Sequence, residues 1–189
     1  MIADLTYDAA PMRALSLKMI VSGGQTGVDR GALDAALAMG FPAGGWCPAD
    51  RSAEDGPIPN RYPLSPLERG GYRARTRRNV VDSDATVILA PGDLTGGTLL
   101  TRLFCEQHGM PFLVIDAEQT TEPEAAAQIA RFVEQRSIAR LNVAGPRASG
   151  WPRAHGYAER TIGALLESFP VSSAWDGTDT IPTQQRFQF

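Results

Sequence analysis

The stretch VSGGQTGVDRGALDAAL, Val21 to Leu37, joins two different periodicities across a run of glycine. Leu17 to Ser22, with the apolar run Met19–Val21 at its centre, reads as a buried strand, whereas Ala32, Leu33, Ala36 and Leu37 recur at helical spacing until Gly40 ends the helix. A buried strand, a tight turn and a helix in that order open a parallel sheet covered by helices. Gly23, Gly24 and Gly27 in the turn have two readings. They are a plain strand-to-helix turn, or they let an anion approach backbone N–H groups at a helix start.

Outward from this unit the same alternation continues. Phe41–Trp46 reads as a second strand and Ala85–Leu89 as a third, with the β-branched pattern of a strand covered on both faces. The spacing predicts a helix from Thr98 to His108 with Leu99, Leu100, Leu103 and Phe104 inward, then a strand over Pro111–Ile115. A helix over Glu124–Gln135 buries Ala126, Ile129, Ala130 and Val133; a strand follows over Ala139–Ala144, and a helix over Tyr157–Ser168 buries Ala158, Ile162, Leu165 and Leu166. The expected class is therefore α/β, a doubly wound parallel sheet of about five strands with helices on both faces. Residues 17–169 form one domain; 1–16 and 170–189 lack periodicity and read as arms.

Composition limits the chemistry. Lys18 is the only lysine, so a Walker-type G-x-x-x-x-G-K-[ST] loop is absent, and a Schiff-base enzyme would have to use a residue just before the first strand. The spacing G-G-x-x-G also misses the dinucleotide fingerprint. A net charge of −3 gives no basic field for nucleic acid. No apolar run spans a membrane and the N-terminus carries Asp rather than a basic leader, so a cytoplasmic protein is expected. Cys47, Cys105, His108 and His155 show no zinc spacing, and no dedicated metal site is expected.

For the strand order 2-1-3-4-5, a ligand crevice opens beyond the carboxyl ends of strands 1 and 3. There Ser22, Gly23, Gly24, Gln25, Thr26, Gly27 and Asp29 would face Thr95, Gly96, Gly97 and Thr98, a second glycine loop at a helix start. Paired loops favour an anion site. Between strands 2 and 3 the chain from 47 to 71 holds Pro48, Pro57, Pro59, Pro63 and Pro66, a connection far longer than usual. Glu54 and Asp55 in it are candidates for ribose hydroxyls or the edge of an amino-heterocycle; a turn or a surface salt bridge is the alternative. Tyr72, Arg75, Asn79 and Asp82 share one helical stripe that either points to the crevice or is solvated. Arg75 would pair with a phosphate. Asn142, at the end of the fifth strand, lines the crevice or satisfies its own turn.

SGGQTGVDRGALDAAL, GGWCP, AEDGPIP-x-RYPL, YRARTRRNVVDSDAT, LTGGT and LNVAGPR together resemble the molybdenum cofactor carrier proteins, a branch of the Rossmann-like SLOG superfamily. The resemblance runs from about residue 18 to 168. It implies a Rossmann-like carrier that binds the molybdenum cofactor (a phosphorylated pterin dithiolene, molybdopterin) or a nucleotide-like ligand. It also implies a homo-oligomer, dimer or tetramer, with molybdoenzymes or cofactor-synthesis proteins as partners. Phe169, Trp175 and Phe187 supply apolar material for such an assembly. The superfamily also includes LONELY GUY-type nucleoside 5′-monophosphate phosphoribohydrolases, whose motif is P-G-G-x-G-T-x-x-E. With its G-T on Gly97-Thr98, the glutamate position holds Thr101. A binding protein is expected over a hydrolase, with Glu54 or Asp55 as the carboxylates that would have to substitute.

Overall fold

The computed structural model describes residues 17–169. Both arms, with Trp175 and Phe187, lie outside the described residues. In chain order the elements are β1 (Met19–Val21), α1 (Val28–Ala38), β2 (Ala43–Gly44), β3 (Trp46–Cys47), β4 (Ser52–Ala53), β5 (Gly56–Pro57) and β6 (Ser65–Pro66). There follow α2 (Tyr72–Val81), β7 (Ala85–Ala90), α3 (Gly96–His108), β8 (Phe112–Asp116), α4 (Glu122–Arg136), β9 (Arg140–Ala144) and α5 (Ala154–Glu167). The α/β class is as the alternation requires.

The five-stranded sheet is parallel, in the order β2-β1-β9-β7-β8. This corrects the order 2-1-3-4-5. The last strand enters between the first and third, with Asn142 aligned on Val21 at one side and on Thr86 at the other. Side chains hold it there: Ser22 Oγ donates to the Val143 carbonyl at 2.8 Å, and Asn142 Nδ2 donates to Thr86 Oγ1 at 3.1 Å. Such buried polar groups need partners, and only a neighbouring strand supplies these.

Side chains alternate across the sheet. Ile20, Val87, Leu89, Ile115, Leu141 and Val143 pack with α1, α4 and α5 into the main core, while Val80, Phe104 and Cys105 of α2 and α3 form a cluster of their own. Gly31 lets α1 approach α5, since a Cβ there would sit 2.3 Å from the His155 carbonyl oxygen. Phe169 is buried in the main core, so it does not serve as apolar material for assembly. The helix after β7 is turned differently from the leucine spacing. Thr98, Thr101, Phe104 and Cys105 are buried and Leu100 half-buried, whereas Leu99 and Leu103 are exposed. Rotation of α3 about its axis is set by where its first turn joins β7, and a count of apolar residues does not capture that.

The long connection is built around one arginine. Arg51 donates to the carbonyls of Leu64 (2.9 Å), Pro59 (3.2 Å), Tyr62 (3.3 Å) and Ile58 (3.3 Å), in a left-handed backbone conformation with φ of 55°. Ile58, Tyr62 and Leu64 then bury against Leu33 and Cys47. The segment is thus a folded flap with its own small core, lying against the loop after β1.

Candidate functional site

The chain leaves β9 toward α5 on one face of the sheet and leaves β7 toward α3 on the other. The carboxyl ends of these neighbouring strands therefore diverge, and a crevice opens between them. Insertion of β9 has moved the switch point from strands 1 and 3 to β9 and β7. The crevice is a cavity of about 510 Å³, within the range of small-molecule sites. Its walls are the end of β7 with Asp93 and Thr95–Thr98, the segment from Ala144 to Arg147, Gln25 and Asp29 beside β1, and Tyr72 and Arg75 of α2.

The two glycine loops play different parts. In the first, each open side is filled by protein. A Cβ on Gly23 would lie 1.8 Å from Arg75 Nη1, one on Gly24 would lie 2.4 Å from Leu64, and one on Gly27 would lie 2.5 Å from the Pro146 carbonyl oxygen. These glycines admit neighbouring chain, so the plain-turn reading, sharpened to close packing, accounts for them. In the second loop, nothing lies within 4 Å of a Cβ on Gly96 or Gly97. Among the described residues no acceptor meets the N–H of Gly96 or Gly97, while Thr98 N–H donates to the Thr95 carbonyl. These free donors start a helix of 13 residues, whose dipole favours negative charge at that end.

Arg75 crosses Gly23 to reach Asp29, with Nη1 at 2.9 Å from Oδ2. Gln25 N–H donates to the same oxygen at 3.2 Å. Burial pushes the Asp29 carboxyl above its ordinary range although Arg75 pulls the other way. Arg75 Nε is buried and has no acceptor among the described residues. Tyr72 stands at the start of α2 on the cavity wall, 45% exposed, a flat surface for a ring.

The other expected residues are committed elsewhere. Glu54 accepts hydrogen bonds from the hydroxyls of Thr26 and Ser149 and the Ser149 N–H, with Arg147 Nε at 3.4 Å. These donors, Ser149 and Thr26 first, hold its carboxyl below the usual range. Asp55 takes Arg30 bidentately at 2.6 and 2.8 Å, which lowers its pKa also. Thus the salt-bridge alternative describes Asp55, and Glu54 ties the flap to the loops after β1 and β9. Neither carboxylate lines the cavity. Ser22 is wholly buried, and Asn142 spends its amide on Thr86. The α2 stripe is divided. Tyr72 and Arg75 reach the crevice, but Asn79 clamps the backbone of Trp46 (N–H at 2.7 Å, C=O at 3.1 Å), and Asp82 accepts from Trp46 Nε1 at 2.8 Å. Asn79 lies about one turn further along the axis than Arg75, too deep for the crevice.

Sequence reasoning missed Asp93, Thr101 and Arg147 as wall residues, whereas Tyr72 stood on the stripe it offered to the crevice. The P-R pair in LNVAGPR, just past a strand end, was the available signal for Arg147. Among the described residues no three His, Cys, Asp or Glu side chains gather to hold a metal ion, and no helix is long and apolar enough to cross a membrane.

The fold and this crevice define a Rossmann-like domain with a ligand-sized cavity at its topological switch point. The chain belongs to the circularly permutated YpsA SLOG family, whose model matches residues 20–166. It is also similar to a crystal structure from Syntrophus aciditrophicus SB named "Putative molybdenum carrier protein", with 40% identity and a TM-score of 0.78, covering 82% of this chain and 98% of that one. No curated protein sequence matches.

Proposed function

We propose that the protein is a cytoplasmic carrier that binds a phosphorylated pterin-type ligand, the molybdenum cofactor, or a nucleotide-like ligand in the crevice between β7 and β9. The observation that carries this reading is that unpartnered N–H groups of Gly96 and Gly97 and the unpartnered Nε of Arg75 belong to walls of one cavity. A buried donor without an acceptor, as Arg75 Nε is, is uncommon, the exposed N–H groups of Gly96 and Gly97 are free to meet an anion, and a phosphate supplies acceptors to both walls. Thr95 and Thr98 add hydroxyls beside it, and Tyr72 fits the ring of a pterin or purine. The similar structure named as a molybdenum carrier supports a carrier role. In this reading Gln25, Asp29, Arg75 and Thr95–Thr98 meet or frame the ligand. Ser22, Gly23, Gly24, Thr26, Gly27, Glu54, Asp55, Asn79 and Asn142 shape the walls from behind.

The competing reading is N-glycosidic cleavage of the LONELY GUY type. Thr101, at the glutamate position of that motif, lines the cavity and turns its hydroxyl to the Gly97 carbonyl at 3.0 Å. A hydroxyl so placed offers no charge to an oxocarbenium-like transition state, which argues for binding without turnover. Assembly as a dimer or tetramer would use Leu99, Leu103 and Val114, exposed on α3 and on the edge strand β8. Molybdoenzymes or cofactor-synthesis proteins fit as partners of such a carrier. The direct test is native mass spectrometry of protein purified without added ligand. A phosphate-bearing small-molecule adduct is expected. Protein that is bare, and gives no calorimetric signal with guanosine 5′-monophosphate or a pterin phosphate, would refute the proposal.

A further inference from the structure

The lining of the cavity contains a largely buried ion pair. The side chains of Arg75 and Asp29 are 12% and 6% exposed. Arg75 from α2 is the charged group on the Asp29 carboxyl; the Gln25 N–H and the Ser22 hydroxyl, from the loop after β1, complete its surroundings. Asp93 and Arg147 belong to the cavity walls. With Nη1 engaged by Asp29, Arg75 keeps Nε and Nη2 without an acceptor among the described residues. That edge of a guanidinium takes an oxyanion through two parallel hydrogen bonds.

We infer that Asp29 is the positioning residue of this site, and that an oxyanion docking on the free edge of Arg75 is bound together with a proton, which Asp29 takes up. The inference rests on the cavity being the anion site proposed above. Arg75, ahead of the Gln25 N–H and the Ser22 hydroxyl, favours the ionised Asp29 carboxyl against its burial. A ligand oxyanion divides that positive charge and adds negative charge close by, and both effects favour the neutral acid. The proton comes from solvent and no ligand bond changes. The neutral acid still accepts the Nη1–H through its carbonyl oxygen, so Arg75 keeps its place. Because the bound state holds more protons, affinity falls as pH rises through the Asp29 titration, by at most about tenfold per pH unit. Cargo is therefore taken up at lower pH and released at higher pH.

The test is calorimetric titration of guanosine 5′-monophosphate from pH 5 to pH 9, at each pH in two buffers of different ionisation heat, with Asp29→Asn as the reference for the phosphate's own second ionisation at a pKa of about 6. The difference in observed heat between buffers gives the protons exchanged. Within that range wild type is expected to take up more protons than Asp29→Asn, by up to one, and the variant only what the nucleotide's phosphate exchanges. Asn keeps the shape and still accepts from Arg75, so a purely structural role would leave proton exchange unchanged. Uptake in Asp29→Asn equal to that of wild type at every pH assigns the proton to the nucleotide and overturns the inference. Buffer-independent heats in wild type also overturn it, while leaving binding itself intact; should the variant not fold, that wild-type result decides alone. Absence of any binding refutes both this inference and the proposed function.

Discussion

Replacing Gly97 separates a ligand cradle from an ordinary helix start, because only the cradle predicts that binding weakens while stability rises. Gly97 lies in the first turn of α3 with nothing within 4 Å of a notional Cβ, and its backbone is outside the left-handed region. Alanine there meets no protein atom and removes backbone freedom from the unfolded chain, so Gly97→Ala should stabilise the domain by up to about 1 kcal/mol. For a chain of this size, that raises Tm by about 2–4 °C. Binding should move the other way, since the added methyl projects into the cavity beside the free N–H groups. Loss of one charge-assisted hydrogen bond costs about 1.5–3 kcal/mol, roughly 10- to 150-fold in affinity. Gly97→Val fills more of the space and should bind still more weakly. The assay is a thermal melt paired with calorimetric titration of guanosine 5′-monophosphate on each variant. A folded Gly97→Val that binds as tightly as wild type would refute the cradle.

Other consequences are as direct. Gly31→Ala places a methyl against the His155 carbonyl at 2.3 Å, which should separate α1 from α5 and destabilise by about 1–3 kcal/mol; an unchanged chemical-denaturation midpoint would show the contact to be loose. The Glu54 carboxyl is held low by Ser149 and Thr26, so its contribution to stability is present above the unfolded pKa of about 4.3 and is lost as pH falls through the lower folded value. Melting from pH 5 to pH 3 should therefore fall more steeply for wild type than for Glu54→Gln; parallel curves would exclude the linkage. Incubation with nucleoside 5′-monophosphates should release no free base by chromatography. Turnover that disappears in Glu54→Gln or Asp55→Asn would restore the hydrolase reading.

The layers of the fold were legible in the sequence because each depends on a local period. Ala32, Leu33 and Ala36 repeat at helical spacing, and the run Ala85–Ala90 is buried at all six positions. The place of β9 was not legible, since nothing within Arg140–Ala144 states which strands flank it. That information lies in pairings such as Asn142 with Thr86 and Ser22 with Val143, which join residues 56 and 121 apart. The same limit affected the site. Gly23 and Gly97 look alike in sequence, yet one lies under Arg75 and the other faces open space. Glu54 and Asp55 were found by residue type, but the folding of the flap around Arg51 brings them to Thr26, Ser149 and Arg30. The leucines of α3 misled because Leu99 and Leu103 belong to its exposed face.

The central claim is that one phosphorylated ligand is gripped from both sides of the crevice, by the start of α3 and by Arg75. A crystal structure of the protein with guanosine 5′-monophosphate or a pterin phosphate tests this most directly. The account predicts a phosphate within hydrogen-bonding distance of the Gly97 N–H, Arg75 Nε or Nη2 turned to an oxyanion, and the ring against Tyr72. A ligand seated outside the walls of β7, β9 and α3, with Gly96, Gly97 and Arg75 untouched, would contradict it.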